Sequence, residues 1–278
     1  MHLKKIAITL AVSAFIIGFS SCKKTASPTG SSTSDTTATS LSQDLAISDN
    51  ISEDANNSVT AAATGYNLAG ARPAGVESSC VAISVSGSFP NKTVILTFDS
   101  TVCSDGVTRS GIITAVLSDS IRRAGSTATI TFSNYYVNGY NRQGTIVWTN
   151  TRSGNTVSWT RVDNGKVVAP SGRYWTLNGS RSVTQTAGDG TPLDVLDNVY
   201  SITSGSLTIT NDLGASATST VVTPLEKKAV CTHIDKGSLN ITGSFGTYSI
   251  LIDYGTGTCD DLATYSINGA TPVQFFLP

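Results

Sequence analysis

Apolar and polar residues alternate with a period of two from residue 80 to residue 278, and turn residues interrupt the alternation at short intervals. Such alternation is typical of strands with one buried face, and the short intervals favour antiparallel hairpins. We therefore predict an all-β domain over residues 80–278, an antiparallel meander of long hairpins that forms a one-sided sheet, a sandwich or a half-barrel. The predicted strands lie near 80–88, 93–99, 110–118, 126–137, 141–150, 155–168, 173–186, 199–210, 216–225, 229–242, 246–254 and 261–268, with a last strand at 272–277.

The central hairpins place all three tryptophans on one face of the sheet. Three-residue loops at 137–139 and 170–172, and a tight turn at 153–154, set the register. The predicted pairs are Tyr136 with Tyr140, Ile130 with Ile146, Trp148 with Trp159, Trp159 with Val183, and Val167 with Trp175. The opposite face collects the hydroxyl groups of Thr127, Thr129, Thr131, Thr145, Thr149, Ser158, Thr160, Thr176, Ser180, Ser182 and Thr184. Another sheet, a helix or a ligand must cover the apolar face.

Residues 41–63 follow a helical period instead. Apolar residues recur every three or four positions, and Ser48 is the one polar gap in the stripe. The stripe consists of Leu41, Leu45, Ile51, Ala55, Val59 and Ala62, and the acidic residues Asp44, Asp49, Glu53 and Asp54 lie between them. This pattern predicts one amphipathic helix that docks its apolar side on the β domain. A spacer or a partner-binding helix is the alternative.

The first residues have the pattern of a secretory leader that ends at a cysteine. Lys4 and Lys5 precede an apolar run at residues 6–19, and small residues stand directly before Cys22. This arrangement resembles a bacterial lipoprotein signal, in which the leader is removed and the cysteine receives a lipid. We expect residues 1–21 to be the signal peptide and Cys22 the lipidated residue. A plain signal peptide or a short anchor helix is the alternative.

Two segments lack the apolar residues of a packed element. Residues 22–40 are rich in Ser and Thr, which predicts a flexible tether. Residues 64–79 contain Gly70, Pro73 and Gly75 and are predicted to be a linker.

Composition is typical of an extracytoplasmic β protein, because charged residues make up only 13% of the chain. Without the leader, 16 basic residues stand against 19 acidic ones, a formal charge of −3. A net negative charge of this size does not favour a nucleic acid as a partner. Four cysteines remain besides the lipidated one, and an oxidising envelope predicts two disulfides. Of the three pairings we favour Cys80 with Cys103 and Cys231 with Cys259, because each pair brackets a two-strand unit. A metal site is the alternative, but it would need a Cys-x-x-Cys motif or clustered histidines, and His233 is the one histidine after the leader.

The two cysteine units, residues 80–106 and 231–261, are similar to each other, which indicates an internal duplication around the central meander. Four segments of the chain carry a family resemblance: Ile95-Leu-Thr-Phe-Asp99, Cys103-Ser-Asp-Gly-Val-Thr-Arg-Ser-Gly111, Phe132-Ser-Asn-Tyr-Tyr-Val-Asn-Gly139 and Asp253-Tyr-Gly-Thr-Gly-Thr-Cys259. They resemble a family of uncharacterised Gram-negative cell-envelope lipoproteins with repeated D-[FY]-G-x-G-x-C and D-G-x-x-R-x-G strand-end motifs. The resemblance covers most of residues 40–270. It implies an envelope lipoprotein and no particular activity.

Candidate catalytic chemistry is sparse. A Ser-His-Asp site would need His233, the one histidine after the leader, and no G-x-S-x-G elbow occurs. We therefore expect no enzymatic activity and no cofactor. Asp189, Asp194 and Asp197 form the dense acidic cluster of the β region, but their spacing does not match a known calcium loop. We interpret them as solvated turn residues and keep them only as weak metal candidates.

Aromatic side chains are the other candidate contacts. The tryptophans alternate with Ile and Val, which is typical of a core rather than of a sugar platform. Tyr135, Tyr136 and Tyr140 cluster near a hairpin tip and are predicted to be exposed ligand contacts.

Taken together, these patterns predict a cell-envelope lipoprotein of structural or binding type without catalysis, held to the membrane by its lipid anchor. A glycan-binding module that uses exposed aromatics is the first alternative, and a carrier of a lipid or hydrophobic ligand is the second. The expected partner of the protein, besides the membrane, is a glycan or another envelope protein. Lys23 and Lys24 follow the lipidated cysteine without acidic residues, which favours the periplasmic side of the outer membrane over the cell surface.

Overall fold

The computed structural model of the protein describes residues 33–68, 80–191 and 194–278. They form the helix α1 (Thr33–Leu68) and thirteen strands. The strands are β1 (Val81–Ser86), β2 (Lys92–Val102), β3 (Thr108–Leu117), β4 (Thr127–Val137), β5 (Tyr140–Asn150), β6 (Ser158–Val168), β7 (Tyr174–Ala187), β8 (Val199–Asn211), β9 (Ser216–Lys228), β10 (Lys236–Gly243), β11 (Ile250–Thr256), β12 (Leu262–Ile267) and β13 (Val273–Phe276). The predicted signal peptide, Cys22 with the first part of the tether, and residues 69–79 of the linker lie outside the described residues.

All thirteen strands belong to one sheet, and each pairs antiparallel with its neighbours in the sequence. The predicted all-β meander is confirmed, and every predicted strand is present. The observed form is a single one-sided sheet rather than a sandwich, with β1 and β13 as its edges. Consecutive pairing needs only short hairpin connections, so alternation and turn residues were sufficient signals for it.

The turn between β4 and β5 differs from the predicted three-residue loop. Asn138 and Gly139 both have positive φ angles, 46° and 84°, and Val137 pairs directly with Tyr140. Two positive φ values are the mark of a two-residue hairpin turn, for which Asn-Gly is the preferred pair. The predicted pairing of Tyr136 with Tyr140 is therefore wrong by one residue.

A bulge in β4 restores the predicted register further along the hairpin. Asn134 has a φ of 47°, and the ladder shifts between Thr131 and Tyr135. Beyond this shift, Ile130 pairs with Ile146 as predicted. The extra residue turns Tyr135 to the covered face, where it is fully buried.

The three tryptophans share the covered face, although one predicted pair is wrong. Trp148 pairs with Arg161, and Trp159 pairs with Asn150. This register differs from the predicted one by two residues, and a shift of two keeps every side chain on its face. The ring centroids of Trp148 and Trp159 lie 6.3 Å apart. The pairs predicted for the next hairpin, Trp159 with Val183 and Val167 with Trp175, are confirmed.

Helix α1 covers the apolar face and is buried on all of its sides. Between residues 41 and 56, every side chain except that of Gln43 is buried. Side chains of β3, β4, β5, β6 and β7 hydrogen bond to it, and the connection between β9 and β10 does so through the backbone NH of Ile234. Docking on the β domain is thus observed. The polar positions of this amphipathic helix are buried as well, because the sheet curves around the helix.

The helix is also longer than the predicted range 41–63. It begins at Thr33, within the segment predicted to be a flexible tether, and ends at Leu68, within the predicted linker. Ala38 is fully buried, so packing against the rest of the protein stabilises a turn that composition alone does not favour. Although α1 has 36 residues, no helix in the described ranges is long and apolar enough to cross a membrane.

Paired glycines allow strands to bend around the helix. Gly144 of β5 pairs with Gly165 of β6. A Cβ atom on Gly144 would lie 2.3 Å from the backbone oxygen of Asn164, and Gly144 has a φ of 98°. Only glycine tolerates both conditions, and glycine in a strand interior is typical of a sharp bend or a close backbone approach.

Candidate functional site

Six buried charged side chains meet where the middle of α1 crosses the sheet. We call them the central charge cluster: Asp49 and Glu53 of α1, Arg142 of β5, Arg161 and Asp163 of β6, and Arg181 of β7. Their side chains are between 0% and 3% exposed. Three carboxylates balance three guanidinium groups, as buried charges require.

The helix side of this cluster is held by two arginines. Asp49 accepts a hydrogen bond from Arg181 Nη2 at 2.7 Å and lies 3.3 Å from Arg161 Nη2. Arg161 Nη1 also donates to the Glu53 carboxylate. Burial lowers the pKa of Arg181, but Asp49 outweighs burial and the pKa is raised. These contacts join α1 to β6 and β7.

Asp163 completes the cluster on the sheet side. It accepts from Arg142 Nη2 at 2.7 Å and from the Ser52 hydroxyl at 3.2 Å. Arg161 Nε lies 2.9 Å from the other oxygen of Asp163, an ion pair without hydrogen-bond geometry. Burial lowers the pKa of Arg142 despite the neighbouring Asp163. The cluster therefore contains no carboxylate without a cationic partner.

The first part of α1 carries a more open ion pair. Arg173 donates from both terminal nitrogens to Asp44, each at 2.7 Å, and its side chain is 39% exposed. Burial raises the pKa of Asp44, and the hydrogen bonds from Arg173 only partly oppose this effect. Nearby, Trp175 Nε1 donates to Ser48 Oγ at 2.8 Å. The polar gap in the helical stripe thus faces an indole NH.

The second half of α1 presents Asp54 to β3 and β4. Arg109 donates to both oxygens of Asp54 and to both oxygens of Asp105. Tyr135 donates its hydroxyl proton to Asp54 at 2.8 Å. Burial alone would raise the pKa of Asp54, but Arg109 and Tyr135 together lower it. The pKa of Tyr135 is raised well above its usual value by burial and by Asp54.

A buried lysine lies beside this group. Lys227 of β9 is 1% exposed, and its ammonium donates to the backbone oxygens of Cys231 and Lys228. Burial lowers the pKa of Lys227 to about 8. The ammonium lines a cavity of about 80 Å³ together with Asp54, Arg109 and Tyr200. Asp54, Arg109, Tyr200 and Lys227 all have shifted pKa values, so this cavity brings four such groups to open space.

A second cavity of about 60 Å³ lies at the indole rings of Trp148 and Trp159. Asn150, Gln185 and Asn198 also line it. Trp148 Nε1 donates to Asn56 at 2.9 Å, whereas Trp159 Nε1 has no hydrogen-bond partner among the described residues. A cavity of this size with polar groups in its lining is large enough to hold water.

The predicted tyrosine contacts divide into buried and exposed residues. Tyr135 is fully buried and bonded to Asp54, so its prediction as an exposed contact is wrong, and the bulge at Asn134 is the cause. Tyr136 is 39% exposed, and Tyr140 is half-buried with its ring centroid 6.5 Å from that of Trp175. The three residues therefore do not form one exposed surface.

The three loop aspartates have separate partners. Asp189 pairs with Arg122 at 2.8 Å and with Arg152 at 3.3 Å. Asp194 accepts the backbone NH of Leu196, and Asp197 accepts the hydroxyl of Thr191. Within the described residues, they do not come together as a set of three metal ligands.

The four cysteines pair as favoured, Cys80 with Cys103 and Cys231 with Cys259. His233 lies between Cys231 and β10 and is half-buried. Its Nε2 lies 2.9 Å from the backbone oxygen of Pro278. No nucleophile with a neighbouring base accompanies it among the described contacts.

Sequence reasoning missed the inward-facing arginines. Arg161 follows Trp159 by two residues, and Arg181 precedes Val183 by two, so both share a face with apolar residues. A charged residue in phase with a buried stripe indicates a buried partner of opposite charge. The acidic residues of α1, Asp49 among them, were the available partners.

No protein-family model, curated protein or solved structure matches the chain. The resemblance of the cysteine motifs to envelope lipoproteins therefore stays a prediction. The function of the chain is therefore inferred from the contacts, burial and charges described above.

Proposed function

We propose that the protein is a cell-envelope lipoprotein of structural or binding type that performs no catalysis and is anchored by a lipid on Cys22. The observation that supports this proposal most is the filled interior of the sheet. Helix α1 occupies the covered face, and the cavities that its residues line measure about 80, 60 and 10 Å³. A space of about 310 Å³ between the ends of β11 and β12 is lined by no residue of α1. Sites for small organic ligands usually exceed roughly 300 Å³. Binding then takes place on the outer face or the edges of the sheet.

The anchor would connect to the innermost element of the fold. Helix α1 begins at Thr33, close behind Cys22 in the sequence, and the central charge cluster joins this helix to β6 and β7. A load on the lipid would therefore act on an element that contacts strands β2 to β9 and β11. This arrangement suits a protein body held permanently at a membrane.

The outer face offers rows of hydroxyl and amide groups to a partner. One row runs across neighbouring strands through Thr131, Thr145, Asn164, Asn178, Thr208 and Thr218. Neighbouring strands lie about 4.8 Å apart, so the groups recur at that spacing. Uncharged hydroxyl and amide groups suit an uncharged polar polymer, which keeps a glycan as the second candidate partner.

The aromatic side chains support the glycan alternative less than the outer hydroxyl and amide groups do. Among the ring pairs of the described residues, none joins two exposed rings. A glycan would therefore bind through the outer hydroxyl and amide row. For the lipid-carrier alternative, the filled interior leaves little room for an acyl chain beside α1.

Mass spectrometry of the protein purified from its native membrane tests the anchor. We expect acyl chains on Cys22 and no residues before it, and loss of membrane association in a Cys22→Ser variant. A native product that keeps residues 1–21 and carries no lipid would contradict the proposal. Labelling of intact cells with a membrane-impermeant reagent distinguishes the expected periplasmic side from the cell surface.

Depletion on insoluble polysaccharide tests the glycan alternative separately. This alternative predicts retention of the wild type and loss of retention for Asn164→Lys, which places a long charged side chain in the middle of the row. Leu213→Lys is the control, because Leu213 is 89% exposed in the turn between β8 and β9. A wild type that passes through unretained would remove the glycan alternative and leave the anchor proposal standing.

A further inference from the structure

The second cysteine pair has a carboxylate beside its sulfur atoms. Ligand atoms of Cys231, Asp235 and Cys259 all lie within 4.8 Å of one another. Cys231 and Asp235 are buried, whereas Cys259 is exposed. The three residues come from the segments on either side of β10 and β11, so the hairpin brings them together.

Asp235 has more acceptor capacity than the oxidised pair uses. Its Oδ2 accepts from Lys228 Nζ at 3.0 Å and lies 3.1 Å from Cys231 Sγ. A disulfide sulfur has no proton, so this contact satisfies neither atom. Oδ1 is buried and has no hydrogen-bond partner among the described residues. Buried carboxylate oxygens normally have partners, and an exception needs an explanation.

We propose that the reduced form of this cysteine pair is a metal site for Zn²⁺ or a similar divalent ion, with Cys231, Asp235 and Cys259 as ligands. Two thiolates and one carboxylate are ligands that zinc prefers, and a water on the exposed side of Cys259 completes a tetrahedron. The metal replaces Lys228 as the cation at Asp235 Oδ2, the oxygen that lies 3.1 Å from Cys231 Sγ.

Formation of the site requires two electrons from a dithiol. The dithiol reduces the sulfur–sulfur bond, becomes a disulfide itself, and leaves two protonated cysteines. Zinc then displaces both thiol protons as the thiolates bind. Lys228 must release Asp235, and it can do so because its side chain is 28% exposed and lies 3.5 Å from Glu226.

The first cysteine pair is a control within the same chain. Cys80 and Cys103 form the corresponding disulfide, but no group of three such ligand atoms includes them in the part of the chain that the structure describes. Reduction of that pair yields two thiols that have no third ligand beside them. Zinc affinity should therefore follow the second pair alone.

The test uses the full mature chain with Cys22→Ser, reduced with a phosphine that does not compete for zinc. Zinc affinity is measured by competition with a chromophoric chelator, and Co²⁺ serves as a spectroscopic substitute. We expect one tight site in the reduced protein, a thiolate-to-cobalt charge-transfer band, and no such site in the oxidised protein. Asp235→Asn should weaken zinc binding at least about tenfold.

Two further variants decide the assignment. Replacement of both Cys80 and Cys103 by Ser should leave the reduced protein's zinc affinity unchanged, whereas replacement of both Cys231 and Cys259 should abolish it. Circular dichroism of each variant establishes that the sheet is intact. Equal affinity in Asp235→Asn, or a reduced wild type without the charge-transfer band, would overturn the proposal.

Discussion

The contact between helix and sheet has two neighbouring regions, the central charge cluster and the region around Asp54, which we call the cavity end. The two regions differ in how completely their charges are paired. In the central charge cluster, Asp49 and Glu53 face Arg161 and Arg181, and all four side chains are almost fully buried. Around Asp54, the sheet leaves a cavity of about 80 Å³, and among the described residues the hydrogen-bond partners of Lys227 are backbone oxygens.

This difference shows what each region contributes. A buried ion pair stabilises little over an apolar pair, but the loss of one partner is costly, so the central cluster favours one position of the helix. The cavity end contains groups whose pKa values are shifted, among them Asp54, Tyr135 and Lys227. The central cluster is therefore expected to respond to mutation, and the cavity end to pH.

The largest expected effect is the loss of an arginine from the central cluster. Arg161→Met removes the cation that faces Asp49, Glu53 and Asp163. Asp49 keeps Arg181 and Asp163 keeps Arg142, but Glu53 loses its cationic partner, so three buried carboxylates face two arginines. We expect a loss of about 3–5 kcal/mol in the free energy of unfolding, measured by urea denaturation.

The matched control is Arg123→Met. Arg123 is 71% exposed and pairs with Asp119, so its loss should change stability by less than about 1 kcal/mol. If both variants lost the same stability, the difference between buried and exposed pairs would be contradicted.

The strands were predictable because each hairpin follows from local signals. Alternation places Trp159 and Val183 on one face, and a glycine after Pro170 sets the turn that pairs them. The bulge at Asn134 was not predictable, because nothing in the local pattern marks the inserted residue, and it reverses the side to which Tyr135 points.

The central charge cluster was harder to predict for a different reason. An amphipathic helix is identified by the assumption that its polar residues face water. Asp49 breaks that assumption only because Arg161 and Arg181 lie on the opposing sheet, more than a hundred residues away in sequence. Such long-range compensation has no local signal.

The second prediction concerns the cavity end. Tyr135→Phe removes the hydroxyl that donates to Asp54 at 2.8 Å, while Arg109 still pairs with the carboxylate. We expect a loss of about 1.5–3 kcal/mol at pH 7. The lowered pKa of Asp54 means that its stabilising effect is present above the unfolded pKa of about 4 and is lost as pH falls through the folded pKa. The gap between variant and wild type should therefore narrow in acid, and a constant gap would contradict the role of Asp54.

The third prediction uses the lowered pKa of Lys227. The folded pKa is about 8, below the unfolded value of about 10.4, so the unfolded chain binds more protons between these pH values. Stability attributable to Lys227 should rise with pH in this window, by at most about 1.4 kcal/mol per pH unit. We expect the rise in the wild type relative to Lys227→Met, measured by urea denaturation between pH 7 and pH 10. Parallel pH profiles would show that the lysine is hydrated in solution.

The smallest expected effect is at the open pair near the start of α1. Because burial raises the pKa of Asp44, its ionisation costs more in the folded protein than in the unfolded chain, and Asp44→Asn should change stability by less than about 1 kcal/mol at pH 7. A raised folded pKa also means that wild-type stability falls relative to the variant as pH rises through that value. The partner Arg173 can turn to water, since it is 39% exposed, whereas Arg161 has no such route. A loss at Asp44→Asn as large as that at Arg161→Met would show that partial exposure of the cation does not distinguish the two pairs.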